Sequence, residues 1–287
     1  MATSTLGAQM HPELDRLKRE FGWTPDSVAT WDDASSTWRA KGETRHDSTF
    51  TDHVSELVGE LSMNSWWYST RNHIILRTLR DSKLSQTLWD VGGGTGAVSQ
   101  FLGVAGQAVI GVEPSERGAA FAARREVLSF QSSLEDLRLP PNSLHALSLF
   151  DVLEHLDDRA ALLRELSRVL IPSGVLVITV PAFTALWSQA DTDAGHFLRY
   201  NKPTLRKELE LHGFEVVRSG YFFALTVIPL LLLRALPYRL GIRKAVATEA
   251  TLGASGGFVG KLAAIVERAI AMKTPIGSSL LVIAKKR

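Results

Sequence analysis

From Thr87 onward, short apolar runs alternate with amphipathic stretches, the pattern of βαβ units assembling a parallel sheet. The runs predict strands at 87–91, 108–113, 127–131, 144–151, 174–180, 213–220 and 279–285. Helices are expected near 96–104, 115–124, 158–170 and 203–212, between the first six strands. Upstream, helices are expected at about 13–21, 51–62 and 66–81, the last with Ile74, Ile75, Leu76 and Leu79 at helical spacing. No repeat is visible. The chain therefore divides into a loose tail (1–12), an N-terminal helical cap or lid (13–82), an α/β core (83–222), an apolar-basic helical insertion (223–274) and a last core strand (275–287).

Two segments depart from an ordinary α/β core. Trp23, Trp31, Trp38, Trp66 and Trp67 fall upstream of the first predicted strand, and side chains that large are seldom left unpacked, so the region should fold. The second is the insertion, where 221–233 carry no charge. As a helix rising ~1.5 Å per residue that run spans about 20 Å, short of the ~30 Å hydrocarbon layer, so it should not cross a bilayer. Arg234, Arg239, Arg243 and Lys244 follow with no acid before Glu249. Residues 221–244 thus suit either packing on their own domain or a second subunit in a homodimer, or lying peripherally on an anionic membrane.

Composition narrows the class. In 287 residues, 45% are apolar and 22% charged, as in soluble globular proteins. Thirty-two Lys and Arg against 30 Asp and Glu leave +2, too balanced for a nucleic-acid binder by bulk charge. With no cysteine, disulfides, thiolate metal sites and cysteine nucleophiles are excluded. Met1 to Met10 show no charged start leading into an apolar run, so a cytoplasmic location is expected.

The chemistry concentrates in Asp90-Val-Gly92-Gly93-Gly94-Thr-Gly96-Ala97, a predicted strand entering a glycine-dense turn and then a helix. Such a turn lets a ligand approach the backbone, and the helix start presents unpaired N–H groups. Gly92-x-Gly94-x-x-Ala97, with Glu113 about twenty residues on, satisfies the dinucleotide fingerprint and admits an NAD(P) oxidoreductase. Asp90, however, stands where a carboxylate would repel a pyrophosphate and suit a cationic aminoacyl tail. That chemistry describes S-adenosylmethionine (SAM), which has an ammonium, a sulfonium, ribose hydroxyls and no phosphate.

At these residues the chain resembles the class I SAM-dependent methyltransferases, particularly their ubiquinone and menaquinone methyltransferase-like group. The likeness covers about 87–222 and 276–286. It includes Gly111-Val-Glu113-Pro114, Ser133-Leu134-Glu-Asp136-Leu, Leu149-Phe150-Asp151-Val-Leu-Glu154-His155-Leu, and Leu166-Ser-Arg-Val-Leu170 with Pro172-Ser-Gly174. It implies a Rossmann-like α/β fold with a mostly parallel seven-stranded sheet whose last strand is antiparallel. It implies SAM as cofactor, held by Asp90, Gly92, Gly93, Gly94, Gly96, Glu113, Pro114, Ser133, Leu134, Phe150 and Asp151. Gly93 replaces the usual Cys, and Ser133 stands where many relatives carry an adenine-binding Asp, a role open to Ser133 or to Glu135.

Trp66-Trp67-Tyr68-x-x-x-Arg71-Asn72 and Gly195-His196-Phe-Leu-Arg199-Tyr200 resemble a bacterial subgroup often accompanying glycan and cell-envelope genes. This likeness raises a small-molecule or lipid- or glycan-linked acceptor, touched by Trp67, Tyr68, Arg199 and Tyr200. Trp67, Tyr68 and Arg71 read equally as a lid over the donor, with Arg71 on its carboxylate, or as cement between cap and sheet.

Methyl transfer is an in-line displacement, so orientation and water exclusion dominate and no covalent residue is required. For a hydroxyl acceptor a base must take the proton, and His155 and His196, both expected past the carboxyl ends of strands, are the catalytic candidates. Asp191-Thr-Asp193-Ala-Gly-His196 could ligate a divalent ion but reads more simply as a polar loop, so no metal is expected. A noncatalytic SAM-binding module is the remaining alternative. No Asn-Pro-Pro-Tyr-like turn follows the fourth strand, which argues against DNA adenine and glutamine amides as acceptors.

Overall fold

The computed structural model describes residues 11–42, 65–242 and 258–287. The start of the expected tail, the helix expected at 51–62 and residues 243–257 of the insertion lie outside the described residues. The expected strands and helices that lie within them are all present. In chain order the sheet uses β1 (Ala29–Asp32), β2 (Thr37–Ala40), β3 (Leu88–Val91), β4 (Val109–Val112), β5 (Leu128–Gln131), β6 (Leu144–Phe150), β7 (Leu170–Pro181), β8 (Phe214–Phe222) and β9 (Ser279–Lys286). The main helices are α1 (Pro12–Phe21), α2 (Trp66–Asp81), α3 (Ala97–Val104), α4 (Glu116–Arg124), α5 (Arg159–Val169), α6 (Lys202–Leu211) and α7 (Phe258–Ile270).

The strand order is β1-β2-β5-β4-β3-β6-β7-β9-β8. Strands β5, β4, β3, β6 and β7 run parallel, and β9 inserts antiparallel between β7 and β8. This is the expected Rossmann-like arrangement, with the order reversing beside β3. Parallel strands covered on both faces must be apolar throughout, and Leu88, Trp89, Ile110, Leu147 and Leu149 are accordingly buried. The carboxyl ends of β3, β4, β5, β6 and β7 share one edge, and the loops leaving it carry nearly every candidate site residue.

One expectation is corrected here. Residues 29–40, read as part of a helical cap, form an antiparallel hairpin that joins the sheet beside β5, with Trp38 paired to Phe130 in parallel register. The physical reason is aromatic packing. Trp38 stacks on Phe130, Phe130 on Trp89, and Trp23 meets both Trp89 and Phe130. The tryptophans are the hydrophobic end of the central sheet, and they flatten these short segments against it.

Each helix boundary has a local cause. Ser65 accepts from the Trp67 N–H and starts α2, Asp158 accepts from Ala161 and starts α5, and Asn201 with Thr204 forms a capping box for α6. Within the insertion, 227–239 are helical, with a wide turn at Leu231–Ala235. The buried Glu267 of α7 accepts from the Ala224 and Leu225 N–H groups at 3.1 and 2.6 Å, pinning the start of that segment. Among the described residues, no helix is long and apolar enough to cross a membrane.

Trp23 is buried and its indole N–H donates to the Leu137 carbonyl at 2.9 Å. Trp23→Ala should therefore cost about 3–5 kcal/mol, the range for removing a large buried aromatic. Guanidinium denaturation checks this, and an unchanged midpoint would mean that the N-terminal segment does not brace the sheet.

Candidate active site

The glycine turn leaves β3 beneath a buried carboxylate. Gly92, Gly94 and Gly96 all have left-handed φ angles, 72°, 54° and 72°. A Cβ on Gly96 would stand 2.6 Å from the Ala122 Cβ, and one on Gly92 would stand 2.8 Å from the Val152 side chain, so these two positions admit no side chain. At Gly94 a Cβ would meet nothing within 4 Å, which marks the open side of the turn. A Cβ at Gly93 would stand 3.1 Å from an Asp90 oxygen, so this position is tighter than a purely backbone role implies.

Asp90 is fully buried. One oxygen accepts from Ser99 at 2.5 Å and the other from Ser148 at 2.8 Å. Burial raises its carboxyl above the usual range, and the two hydroxyls offset part of that rise. In the structure the Asp90 side chain lies under the loop, turned to these two hydroxyls. Ser99 and Ser148, from α3 and β6, were not anticipated. Ser99 sits in the first turn of a helix expected at that position, but only the fold brings Ser148 to Asp90.

Glu113, at the end of β4, is half-buried and accepts from the Gly94 and Ser115 N–H groups, each at 2.8 Å. Its carboxyl is raised by burial, against the pull of these two bonds. It lies against the glycine turn, as a ribose-binding acid must, with Pro114 half-buried beside it. After β5, Ser133 donates to Asp136 at 2.8 Å, and Glu135 and Asp136 are both exposed. Leu134 and Phe150 are buried and belong to the apolar core.

Asp151 ends β6 with φ at 58°, accepts from Thr179 at 3.0 Å and pairs with Arg71 of α2 at 2.7 Å. Arg71 is buried and lies 5.8 Å over the Trp67 ring, and its Nε has no hydrogen-bond partner among the described residues. Trp67 stacks on Phe223 at 5.0 Å and meets Tyr68 edge-on at 4.9 Å. Trp67 therefore cements α2 to the start of the insertion, and Arg71 carries the cap's charge to the strand edge.

The next residues converge with the loop after β7. His155 and His196 meet edge to face at 4.6 Å between ring centres. The His196 Nδ1 lies 3.0 Å from Asp191, which Arg199 holds from its other side at 2.6 and 3.1 Å. Burial pushes Asp191 up, but His196 and Arg199 outweigh it and hold the carboxyl below its ordinary value. Burial, helped by the neighbouring His196, depresses His155 to about 4, so it is neutral near pH 7. Glu154 is fully buried, and burial with the nearby Asp151 charge raises it well above the usual range.

Two residues expected to touch the substrate are buried and bonded within the chain. Tyr200 is buried in the main core and its hydroxyl donates to Glu208 at 2.8 Å. Arg199 is buried, spends its guanidinium on Asp191 and donates to the Ala182 carbonyl, so it positions His196 indirectly. Asp193 is exposed and accepts from Gln189 at 2.7 Å. The grouping is Glu154, His155 and His196 with Asp191 behind, not the Asp191, Asp193 and His196 loop read from spacing.

Comparison with known proteins agrees with the fold. Residues 89–178 match the family model described as a methyltransferase domain. A probable SAM-dependent methyltransferase of Mycobacterium tuberculosis is 30% identical over 185 residues, which cover 61% of this chain and 67% of that protein. A Mycolicibacterium smegmatis protein, also described as a probable SAM-dependent methyltransferase, is 28% identical over 160 residues, 54% of this chain and 62% of that one. Among solved structures, a Thermotoga maritima SAM-dependent methyltransferase superposes with a TM-score of 0.53 at 16% identity, covering 82% of this chain and 96% of that chain. A Haloferax volcanii complex with the Trm112 methyltransferase activator superposes with a TM-score of 0.55 at 16% identity, over 82% and 95%.

In protein freed of divalent ions by a chelator, the His155 ring should titrate near pH 4 by ¹⁵N-edited NMR. A midpoint near 6.5 would place it in water instead. The sign for stability follows: the unfolded chain takes up this proton first, so the contribution is full above about 6.5 and is lost as pH falls towards 4.

Proposed function

This chain belongs to the class I SAM-dependent methyltransferases, and we propose that within that family it methylates a hydroxyl oxygen of a lipid- or glycan-linked acceptor. The observation that carries the oxygen reading is His196, fixed by Asp191 at 3.0 Å and facing His155 at the carboxyl edge of the sheet. An imidazole whose Nδ1 is held by a carboxylate presents Nε2 as the proton acceptor, the arrangement a hydroxyl acceptor needs. The segments Trp66 to Asn72 and Gly195 to Tyr200 support a place in the bacterial subgroup they resemble.

The residues present fit the donor. The side of the turn at Gly94 is open, Glu113 offers lone pairs beyond the two used by backbone N–H groups, and the turn is bordered by carboxylates that disfavour a diphosphate. SAM, when bound, supplies a sulfonium-activated methyl group whose C–S bond breaks with the electron pair left on sulfur. Glu113 takes the ribose hydroxyls, Ser133 with Asp136 borders the adenine end, and Arg71 offers its unused Nε towards the donor carboxylate. His196 takes the acceptor proton, with Asp191 and Arg199 holding its ring and His155 packed neutral against it.

The lipid-linked reading rests on the insertion. Ile228, Leu232, Leu233 and Leu240 are more than half exposed, beside Arg239. The same segment touches the loop that carries the site: Tyr238 bonds Thr192 at 3.2 Å and Arg239 donates to the Ala185 carbonyl at 2.9 Å. An apolar, basic surface coupled to the acceptor side suits peripheral contact with an anionic bilayer from which a long-chain acceptor is drawn.

Glu113→Gln should weaken SAM binding by about 1.5–3 kcal/mol, roughly ten- to a hundredfold in Kd by calorimetry, because a charge-assisted hydrogen bond is lost. Wild-type affinity in that variant would remove Glu113 from the site. His196→Ala should lower kcat by about 10²–10⁴ with SAM affinity unchanged, and an unchanged kcat would discard the base. Leu232→Glu with Leu233→Glu should release the protein from anionic liposomes in a sedimentation assay. If the parent does not sediment, and the paired substitution instead dissociates a dimer in ultracentrifugation, the face belongs to a second copy.

A further inference from the structure

Among Glu154, His155 and His196, Glu154 is the side chain that the transfer mechanism does not use. It lies on the single turn Leu153–His155 that follows β6, with no measurable exposure. Neither carboxylate oxygen has a hydrogen-bond partner among the described residues. A carboxylate costs far more to bury bare than a neutral group does, and protein interiors normally pair such groups or coordinate them. Its position is held firmly: the Phe197 N–H donates to the Glu154 carbonyl at 2.7 Å, clamping the β6 turn to the loop that carries His196.

What surrounds this carboxylate is a set of ligand atoms. One atom each from Glu154, His155 and His196 lie mutually within 4.8 Å. His196 is backed through Nδ1 by Asp191, which is itself locked by Arg199 and the Ser188 N–H. A carboxylate behind a histidine fixes the ring and its tautomer and presents the other nitrogen, the usual outer support of a metal-bound imidazole. Asp151, paired to Arg71, stands on the same turn and is partly open to solvent.

We propose that Glu154, His155 and His196 form a binding site for one divalent transition-metal ion, zinc, manganese, cobalt or ferrous iron, beside the methyl-transfer site. Two imidazoles and one carboxylate select these borderline ions over magnesium and calcium, which prefer all-oxygen sets. Three protein ligands would leave coordination positions open to water or another oxygen ligand. The inference deepens the proposed reaction and rests on placing the acceptor there. In the ion-loaded protein the imidazoles would serve as ligands, and the ion would lower the pKa of an acceptor hydroxyl, whose proton would leave to solvent water; His196 is the proton acceptor only in the metal-free protein.

The test measures binding with neither donor nor acceptor present, so its failure leaves the methyl-transfer reading untouched. Chelator-treated full-length protein is titrated with Co²⁺ and followed by visible absorption, and with Zn²⁺, Mn²⁺ and Mg²⁺ by calorimetry. The expected result is one Co²⁺ or Zn²⁺ per chain with micromolar or tighter Kd, and Mg²⁺ at least tenfold weaker. Glu154→Gln and, separately, His196→Gln should each weaken Co²⁺ binding at least tenfold and change the visible bands. His196→Gln alters a partly exposed ring and keeps the test decisive if Glu154→Gln does not fold. No cobalt bands in the parent, or unchanged binding in a folded variant, would overturn the site.

Discussion

The ion pair between Arg71 and Asp151 joins the two halves of the site. A buried guanidinium must be matched by an anion, and Asp151 supplies one from the end of β6. Because Arg71 sits on the second turn of α2, this bond fixes where the N-terminal helix lies over the carboxyl edge of the sheet. It also sets Trp67 against Phe223 and so couples the insertion to the core. The left-handed backbone at Asp151 is the local strain that aims its carboxylate at this partner.

Around that pair the electrostatics are unusually acidic. Asp90, Glu113 and Glu154 all have carboxyls raised by burial, and each uses a different means of bearing it. Asp90 takes two hydroxyls and Glu113 two backbone N–H groups. Glu154 has no comparable partner among the described residues. A pocket edged by such groups favours a cationic donor over a phosphorylated one, and the comparisons with methyltransferases remove the dinucleotide alternative. Asp191, by contrast, is held below its ordinary value by His196 and Arg199, while burial keeps His155, on the turn after β6, neutral near pH 7.

The seven core strands, the helices between them, the glycine turn, and Glu113 and Asp151 at strand ends were all legible in the chain. Each is a local property: an apolar run of strand length, a glycine where φ must be positive, an acid at a fixed distance from a turn. The hairpin at 29–40 was not legible, because its segments are four residues each and gain their extended form from tryptophans packed against Phe130 and Trp89, which are distant in sequence.

Within the site the same division holds. Residue types alone determined that a carboxylate would precede the glycines and that His155 and His196 were the candidate bases. Only the tertiary structure decided that Asp90 faces Ser99 and Ser148 rather than solvent, that Tyr200 belongs to the core, and that the Glu154 carboxylate has no hydrogen-bond partner among the described residues. Those outcomes depend on which strand ends become neighbours when the sheet is wound. The contacts join residues as far apart as Asp90 and Ser148, or Arg71 and Asp151, and no periodicity along the chain encodes which of two adjacent polar side chains turns inward.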